Sequence, residues 1–485
     1  LLMKMNERND AHMKKEVYEK KATFGLSLLV FVLATAIILV GILVLGLDAH
    51  IPVVFAAAVV LLYGMCLHVP YKDLEHAMIK SISESTQVLM IICIIGMLVG
   101  TWMAAGTVPY IIYLGLELIN PAIFLPFVAI MCAIMSTMTG SSWTTASTIG
   151  IAFIGISMGL GIPVAITAGA VCCGAFFGDK QSPLSDFCIF ASGVSKVDIY
   201  KHARRMLWTT APAFVVSLII FTVLGMGHSG ENMDMSAVTE ITGGLAETFK
   251  LGLPTLIPVV ALIIMLILKV PSVPSLTLAA IIGALTAWLY QGRSFGDSLY
   301  VMMHGCTVET DVVTVASICN RGGMLAMAST LMLMIVSLAM AGLFERTGLL
   351  SSIVEKISFL VRNQTGLVAS TTIVSALGGY VFCDPYMAAL VPVKAFGKRY
   401  EELGIDKCVM SRSISDGALT FCPIVPWGSS GVFIAGALGV ATLDYLPYYF
   451  MYLVPIFSIL WAALNKGIYR YDYEKDPEGQ KVHED

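Results

Sequence analysis

Four short stretches place carboxylates and hydroxyls inside otherwise apolar runs of this 485-residue chain. The first is Ser141-Ser142-Trp143-Thr144-Thr145. The second is Gly178-Asp179-Lys180-Gln181-Ser182-Pro183-Leu184-Ser185-Asp186, and the third carries Asp384-Pro385. The fourth runs from Ser411-Arg412-Ser413 through Ser415-Asp416 to Pro423, Pro426, Gly428, Ser429 and Ser430. An ionised side chain near the middle of a bilayer costs about 2.5–3.5 kcal/mol on insertion scales. Four such carboxylates need compensation, and a bound cation supplies it. Carboxylate, hydroxyl and backbone carbonyl are hard oxygen ligands, the kind a small hard cation such as sodium prefers. Pro183 and Pro423 lack an amide hydrogen and interrupt a helix, which frees carbonyls for the same purpose, and Gly428 lets backbone approach closely. Asp179, Asp186, Asp384 and Asp416 are therefore the expected sodium- or proton-binding groups. Ser141, Ser142, Thr144, Ser185, Ser429 and Ser430 are the expected oxygen ligands to ion or substrate. Sodium ion and proton compete for one carboxylate, and exclusive occupancy couples the two fluxes.

Plainer roles exist for the same residue types. Ser147, Thr148 and Thr167 fit hydroxyls that bond back to the preceding helical turn. Asp179 with Lys180, or Asp416 with Arg412, fit buried structural ion pairs.

Composition agrees with a membrane setting. Hydrophobic residues make up 57% of the chain and charged residues 13%, and the mean hydropathy is +0.83, outside the range of soluble domains. A net charge of −4 offers no basic footprint for nucleic acid. Eleven cysteines form no C-x-x-C pair, which argues against a disulfide framework or a structural zinc. Gly155-Ile156-Ser157-Met158-Gly159 and Gly428-Ser429-Ser430-Gly431 imitate serine-hydrolase signatures. A serine nucleophile needs a base within reach, and the eight histidines all fall outside the long apolar runs. The residues point to no enzyme and no cofactor.

The elements that must position these residues are apolar helices. Fourteen runs are candidates. The first, 24–47, is too long for a signal peptide and reads as a retained span. Two pairs, about 121–160 and 365–400, turn at short tips without flanking charges and read as re-entrant hairpins. Such backbone is tolerated at membrane depth only against protein or a cavity. The runs at about 163–193 and 408–440 read as broken helices. Ten crossings remain, with cytoplasmic segments 1–23 and 467–485 at the ends and an external linker at 228–251. On this arrangement the inside segments hold 25 of the 29 Lys and Arg and the outside segments three, as the positive-inside rule demands. Residues 24–227 and 252–466 then form two halves of five crossings and one hairpin each. An odd number of crossings inverts the second copy. Gly140 pairs with Gly378 and Asp179 with Asp416, at offsets of 236–238 residues.

The segment Gly178 to Asp186 resembles the G-D-K-x-S-P-L-S-D motif of the NhaC-type sodium/proton antiporters. Gly140-Ser141-Ser142-Trp143-Thr144-Thr145 is similar to their G-T-S-W-G-T. Asp384-Pro385-Tyr386, Ser411 to Asp416 and Pro423-Ile424-Val425-Pro426-Trp427 are similar to their second-half motifs. The likeness covers about residues 24–460. Thr144, Phe187 and Gly428 depart from the family pattern, which has Gly, Thr and Asn there. The resemblance implies an all-α inverted-repeat transporter of the elevator type, a homodimer in a bacterial inner membrane, exchanging sodium for protons. A branch of the family exchanges sodium and lactate for protons and malate, so sodium- and proton-coupled exchange of small carboxylates is the second expectation. A channel or non-transporting scaffold is a distant third.

Overall fold

In lipid, a long apolar segment satisfies its backbone N–H and C=O groups only as a helix or in a closed barrel, and this chain takes the first course. The computed structural model describes residues 22–471 apart from 119, 229–234, 269, 359–360 and 362. Among them the only strand-like pairing is the bridge between Ile405 and Arg470. Seven helices are long and apolar enough to cross a membrane, or nine if each of two sharply bent pairs is one span. Outward faces carry exposed Leu29, Phe55, Ile219, Val223 and Ile264, a surface suited to lipid rather than water. The chain is a polytopic all-α membrane protein. The expected end segments lie mostly outside the described residues.

The helices around the polar stretches, in chain order, are α1 (Thr86–Ala104), α2 (Pro121–Thr139) and α3, which runs on from Ser142–Thr145 through a wide turn to Ile151–Gly159. They continue with α4 (Val164–Gln181), α5 (Asp186–Ser195) and α6 (Ile199–His228). The second half supplies α7 (Ala328–Thr347), α8 (Gln364–Phe382), α9 (Pro385–Glu402), α10 (Lys407–Phe421) and α11 (Ser429–Leu438). The helices turn or break where the polar stretches lie. The tips are residues 140–141 and 383–384; the breaks are 182–185 and 422–428.

The two halves share one register. Pro121 and Thr139 bound α2, and Gln364 and Phe382, each 243 residues later, bound α8. The same step takes Val164 to Lys407, Asp186 to Ser429 and Ser195 to Leu438. It takes the capping Asn120 to the capping Asn363, and the left-handed Gly140 to the left-handed Cys383. Packing repeats with it. A Cβ on Gly174 would come within 2.1 Å of the Ala129 carbonyl, and one on Gly417 within 2.1 Å of the Thr372 carbonyl. Small residues thus let α4 lie against α2 and α10 against α8.

This register corrects the offset of 236–238. In it Asp179 answers Cys422 and Asp416 answers Cys173. The slip is five to seven residues, less than two helical turns, and Gly and Ala recur often enough along these helices for a weak match to appear at the wrong offset. The stretch expected as an external linker contains a helix, Met235–Thr248, with Ile241 and Leu245 buried. His202 is fully buried near the start of α6.

Candidate functional site

The two tips and two breaks meet around one cavity of about 410 Å³. Four helices start there: α3 at Ser142, α5 at Asp186, α9 at Pro385 and α11 at Ser429. A helix begins where its first N–H groups find an acceptor, and these starts are capped from the polar stretches. Ser141 Oγ accepts from Thr144 N–H at 3.1 Å and from its hydroxyl at 3.0 Å. Ser185 Oγ accepts from Cys188 N–H at 3.2 Å. Asp384 Oδ1 accepts from the N–H groups of Tyr386 (2.9 Å) and Met387 (3.0 Å). At the fourth start, Ser429 N–H donates to the Cys383 carbonyl at 2.7 Å, which ties the second tip to the second break.

Gly140 makes the matching junction in the first half. Its φ of +69° and the Leu184 carbonyl carbon, 2.7 Å from where a Cβ would sit, leave room only for glycine. Aromatic rings then brace each half against the other. Trp143 stacks on Phe433 with centroids 4.1 Å apart, and Tyr386 meets Phe190 edge-on at 5.2 Å. Both contacts pair positions related by the 243-residue register.

Asp179 is the most enclosed carboxylate on the cavity wall. Its Oδ2 accepts from Ser142 N–H (3.2 Å) and Ser142 Oγ (2.6 Å), and its Oδ1 accepts from Ser185 Oγ (2.6 Å). Asp186 is exposed and Asp384 half-buried, so water reaches the site. Ser429 and Ser430 line the cavity, and their buried hydroxyls have no protein hydrogen-bond partner. Among the described residues no three His, Cys, Asp or Glu side chains form a ligating cluster. A cation here draws on hydroxyls and backbone carbonyls beside carboxylates.

Nine of the ten expected residues are therefore brought together, with Ser185 reaching the cavity through Asp179. The tenth, Asp416, is elsewhere. Its Oδ1 lies 2.8 Å from Lys180 Nζ, and both side chains are fully buried. Neither structural pair expected from sequence forms; the pair joins α4 to α10 across the two halves. Ser147 and Thr148 do bond back to the Thr144 carbonyl, whereas Thr167 donates to Ser157. Glu84, Gln87, Ser272 and Tyr386 line the cavity without having been singled out. Glu84, Gln87 and Ser272 sit at the ends of helices, where polar residues look like ordinary solvated edges. Tyr386 had a signal, since it follows the tip Asp384-Pro385.

The Na+/H+ antiporter family profile matches residues 174–466. The chain is 38% identical over 412 residues to the malate-2H(+)/Na(+)-lactate antiporter of Bacillus subtilis, covering 85% of this chain and 88% of that one. It is 35% identical over 453 residues to the Na(+)/H(+) antiporter NhaC of Alkalihalophilus pseudofirmus, covering 93% and 97%. It is also 37% identical over 470 residues to the arginine/ornithine antiporter ArcD of Halobacterium salinarum, covering 95% and 96%. With a matched profile over more than half its length and such relatives along nearly all of it, this chain belongs to the Na+/H+ antiporter family.

Proposed function

We propose that this protein is a secondary active transporter that exchanges sodium ions for protons by alternating access. The observation that carries the reading is the cavity itself. Asp179, Asp186 and Asp384 share it, beside Glu84, with Ser141, Ser142, Thr144, Ser429 and Ser430. These groups come from both halves of the chain and sit where helices break, the arrangement expected of a transporter site between repeats. Sodium is held chiefly at Asp179, whose two serine partners fix the carboxylate. Asp384, half of which is occupied in capping α9, turns its other oxygen to the ion.

The halves are inverted repeats, moving in the elevator manner against the rest of a homodimer in the cell membrane, with both termini cytoplasmic. Glu84 and Ser272 at the cavity lie in the Lys- and Arg-bearing stretches 68–86 and 269–272, which the positive-inside rule assigns to the cytoplasmic side, and Gln87 follows directly on the first. This conformation is the inward-facing one.

A second reading, exchange of small carboxylates coupled to sodium and protons, is favoured by one feature. About 410 Å³ far exceeds what an ion needs, and four helix N-termini converge on it. Helix N-termini attract anions. The malate- and lactate-exchanging relative is consistent with this.

Flux into proteoliposomes, with sodium, proton, malate and lactate gradients imposed separately, decides between them. Sodium-driven proton movement without any organic anion is the expected result. Movement only when malate or lactate is present selects the second reading, and no sodium-dependent flux under any gradient rejects both.

A further inference from the structure

Asp416 and Lys180 form a charged pair that does not face the cavity. Lys180 Nζ donates to Asp416 Oδ1 at 2.8 Å and to Thr420 Oγ1 at 3.0 Å. The pair stands at the inner end of a polar seam along which α6 and α10 run side by side. Lys201 and Asp406 form its outer rung at 2.8 Å, with the lysine partly exposed. His202 Nδ1 and Ser411 Oγ follow at 2.7 Å, and Thr209 Oγ1 donates to Asp416 Oδ1 at 3.1 Å.

Four buried polar atoms of this seam have no protein hydrogen-bond partner: Asp416 Oδ2, Arg412 Nε and Nη2, and His202 Nε2. Buried polar groups are almost always satisfied, by protein or by ordered water. These unsatisfied atoms lie along one interface, and its outer rung, Lys201, is partly exposed. Besides each other, the pair faces Arg412 from α10, His202 from α6, Cys188 from α5 and Tyr400 from α9.

We infer that the transported proton is carried on Asp416, at Oδ2, and that it acts on the cation through charge. Lys180 is the peptide neighbour of Asp179. While Asp416 is ionised it neutralises the Lys180 ammonium, and a cation beside Asp179 is little disturbed. A proton arriving along the seam bonds to Oδ2 and removes the negative charge. The ammonium then stands uncompensated one residue from the cation's principal carboxylate and expels the cation. Loss of the proton to the seam restores the pair. Proton and cation exclude each other without sharing a carboxylate, in contrast to direct competition at Asp179. This rests on the cavity being the cation site.

Calorimetric titration of sodium into the purified full-length protein, from neutral to alkaline pH, tests the inference. Wild type should bind more weakly as pH falls. Asp416→Asn, which lacks the charge permanently, should bind about 10- to 30-fold more weakly than alkaline wild type and equally at every pH. Lys180→Met/Asp416→Asn should regain the alkaline affinity and stay insensitive to pH. A double variant that keeps the wild-type pH dependence overturns the proposal, as does one as weak as Asp416→Asn. The double variant removes both charges of the pair and leaves buried Arg412 on the Gly467 carbonyl; its sodium binding is read directly, so it decides the matter even if Asp416→Asn does not accumulate. Asp179→Asn is titrated alongside: unchanged binding there rejects the cavity as cation site, a failure distinct from that of the proton carrier.

Discussion

At the scale of single residues, Asp179 and Asp384 share a cavity but do different work. Asp179 is enclosed by two serine hydroxyls, each 2.6 Å away. An asparagine can keep one of them on its carbonyl and turn the other to accept from its amide. Asp179→Asn should therefore fold, with an unchanged melting temperature, and lose sodium-driven proton movement in proteoliposomes. Wild-type flux from the folded variant would reduce Asp179 to a structural role. Asp384 spends Oδ1 on capping α9. Asparagine caps as well as aspartate, whereas alanine forfeits about 1 kcal/mol. Asp384→Asn should thus retain the melting temperature but raise the half-saturating sodium concentration by a factor of roughly 30 to 1,000, the equivalent of about 2–4 kcal/mol for a carboxylate lost from a partly desolvated site. Asp384→Ala should lose both. A lowered melting point with unchanged sodium dependence in Asp384→Asn would remove that carboxylate from the site.

At the scale of elements, two helix crossings hold the polar stretches in place. Gly174 and Gly417 each press on a carbonyl of the neighbouring helix, at positions one register step apart. Even a methyl group has no room, so Gly174→Ala and Gly417→Ala must push α4 from α2, or α10 from α8. Each should lower stability by about 1–3 kcal/mol, read as a drop in the unfolding temperature of the detergent-solubilised protein. Equal stability in either variant would mean that the crossing relaxes without strain. The aromatic braces tie these crossings together. Trp143 belongs to the first tip but stacks on Phe433 of the second half, and Tyr386 of the second tip meets Phe187 and Phe190 of the first. Neither tip can shift without the opposite broken helix. The four starts around the cavity are thus linked across the two halves.

At the scale of the whole molecule, the proposed orientation predicts which faces an impermeant reagent reaches. In a cysteine-free background, a cysteine at the exposed Glu240 should react with an impermeant thiol reagent from outside intact cells, while cysteines at Lys201 and Lys398 should not. External labelling at Lys201 would invert the arrangement. A cysteine at Gln87, exposed at the cavity, should label from the inner face of inverted vesicles in the conformation seen here. Sodium should change that rate if closing the site requires the ion. A rate unaffected by sodium, in protein shown to transport, would separate the Gln87 face from the gate.

The amino-acid sequence by itself determined the class of the molecule. Apolar runs, sparse charge and the clustering of Lys and Arg in alternate loops follow from the chemistry of the bilayer alone. The sites where those runs break were also legible, because proline, glycine, Asp and Ser inside apolar helices are costly unless used. Eight of the ten residues so marked line one cavity, and Ser185 reaches it through Asp179. Only the tertiary structure decided the rest. It moved the repeat from an offset of 236–238 to 243 residues, because Gly and Ala recur too often along these helices for their spacing alone to fix the register. It also separated Asp416 from the cavity. Asp179 and Lys180 are consecutive, and consecutive helical side chains point about 100° apart. One therefore faces the cavity and the other the opposite half, and which carboxylate Lys180 meets 236 positions later depends on how α4 lies against α10.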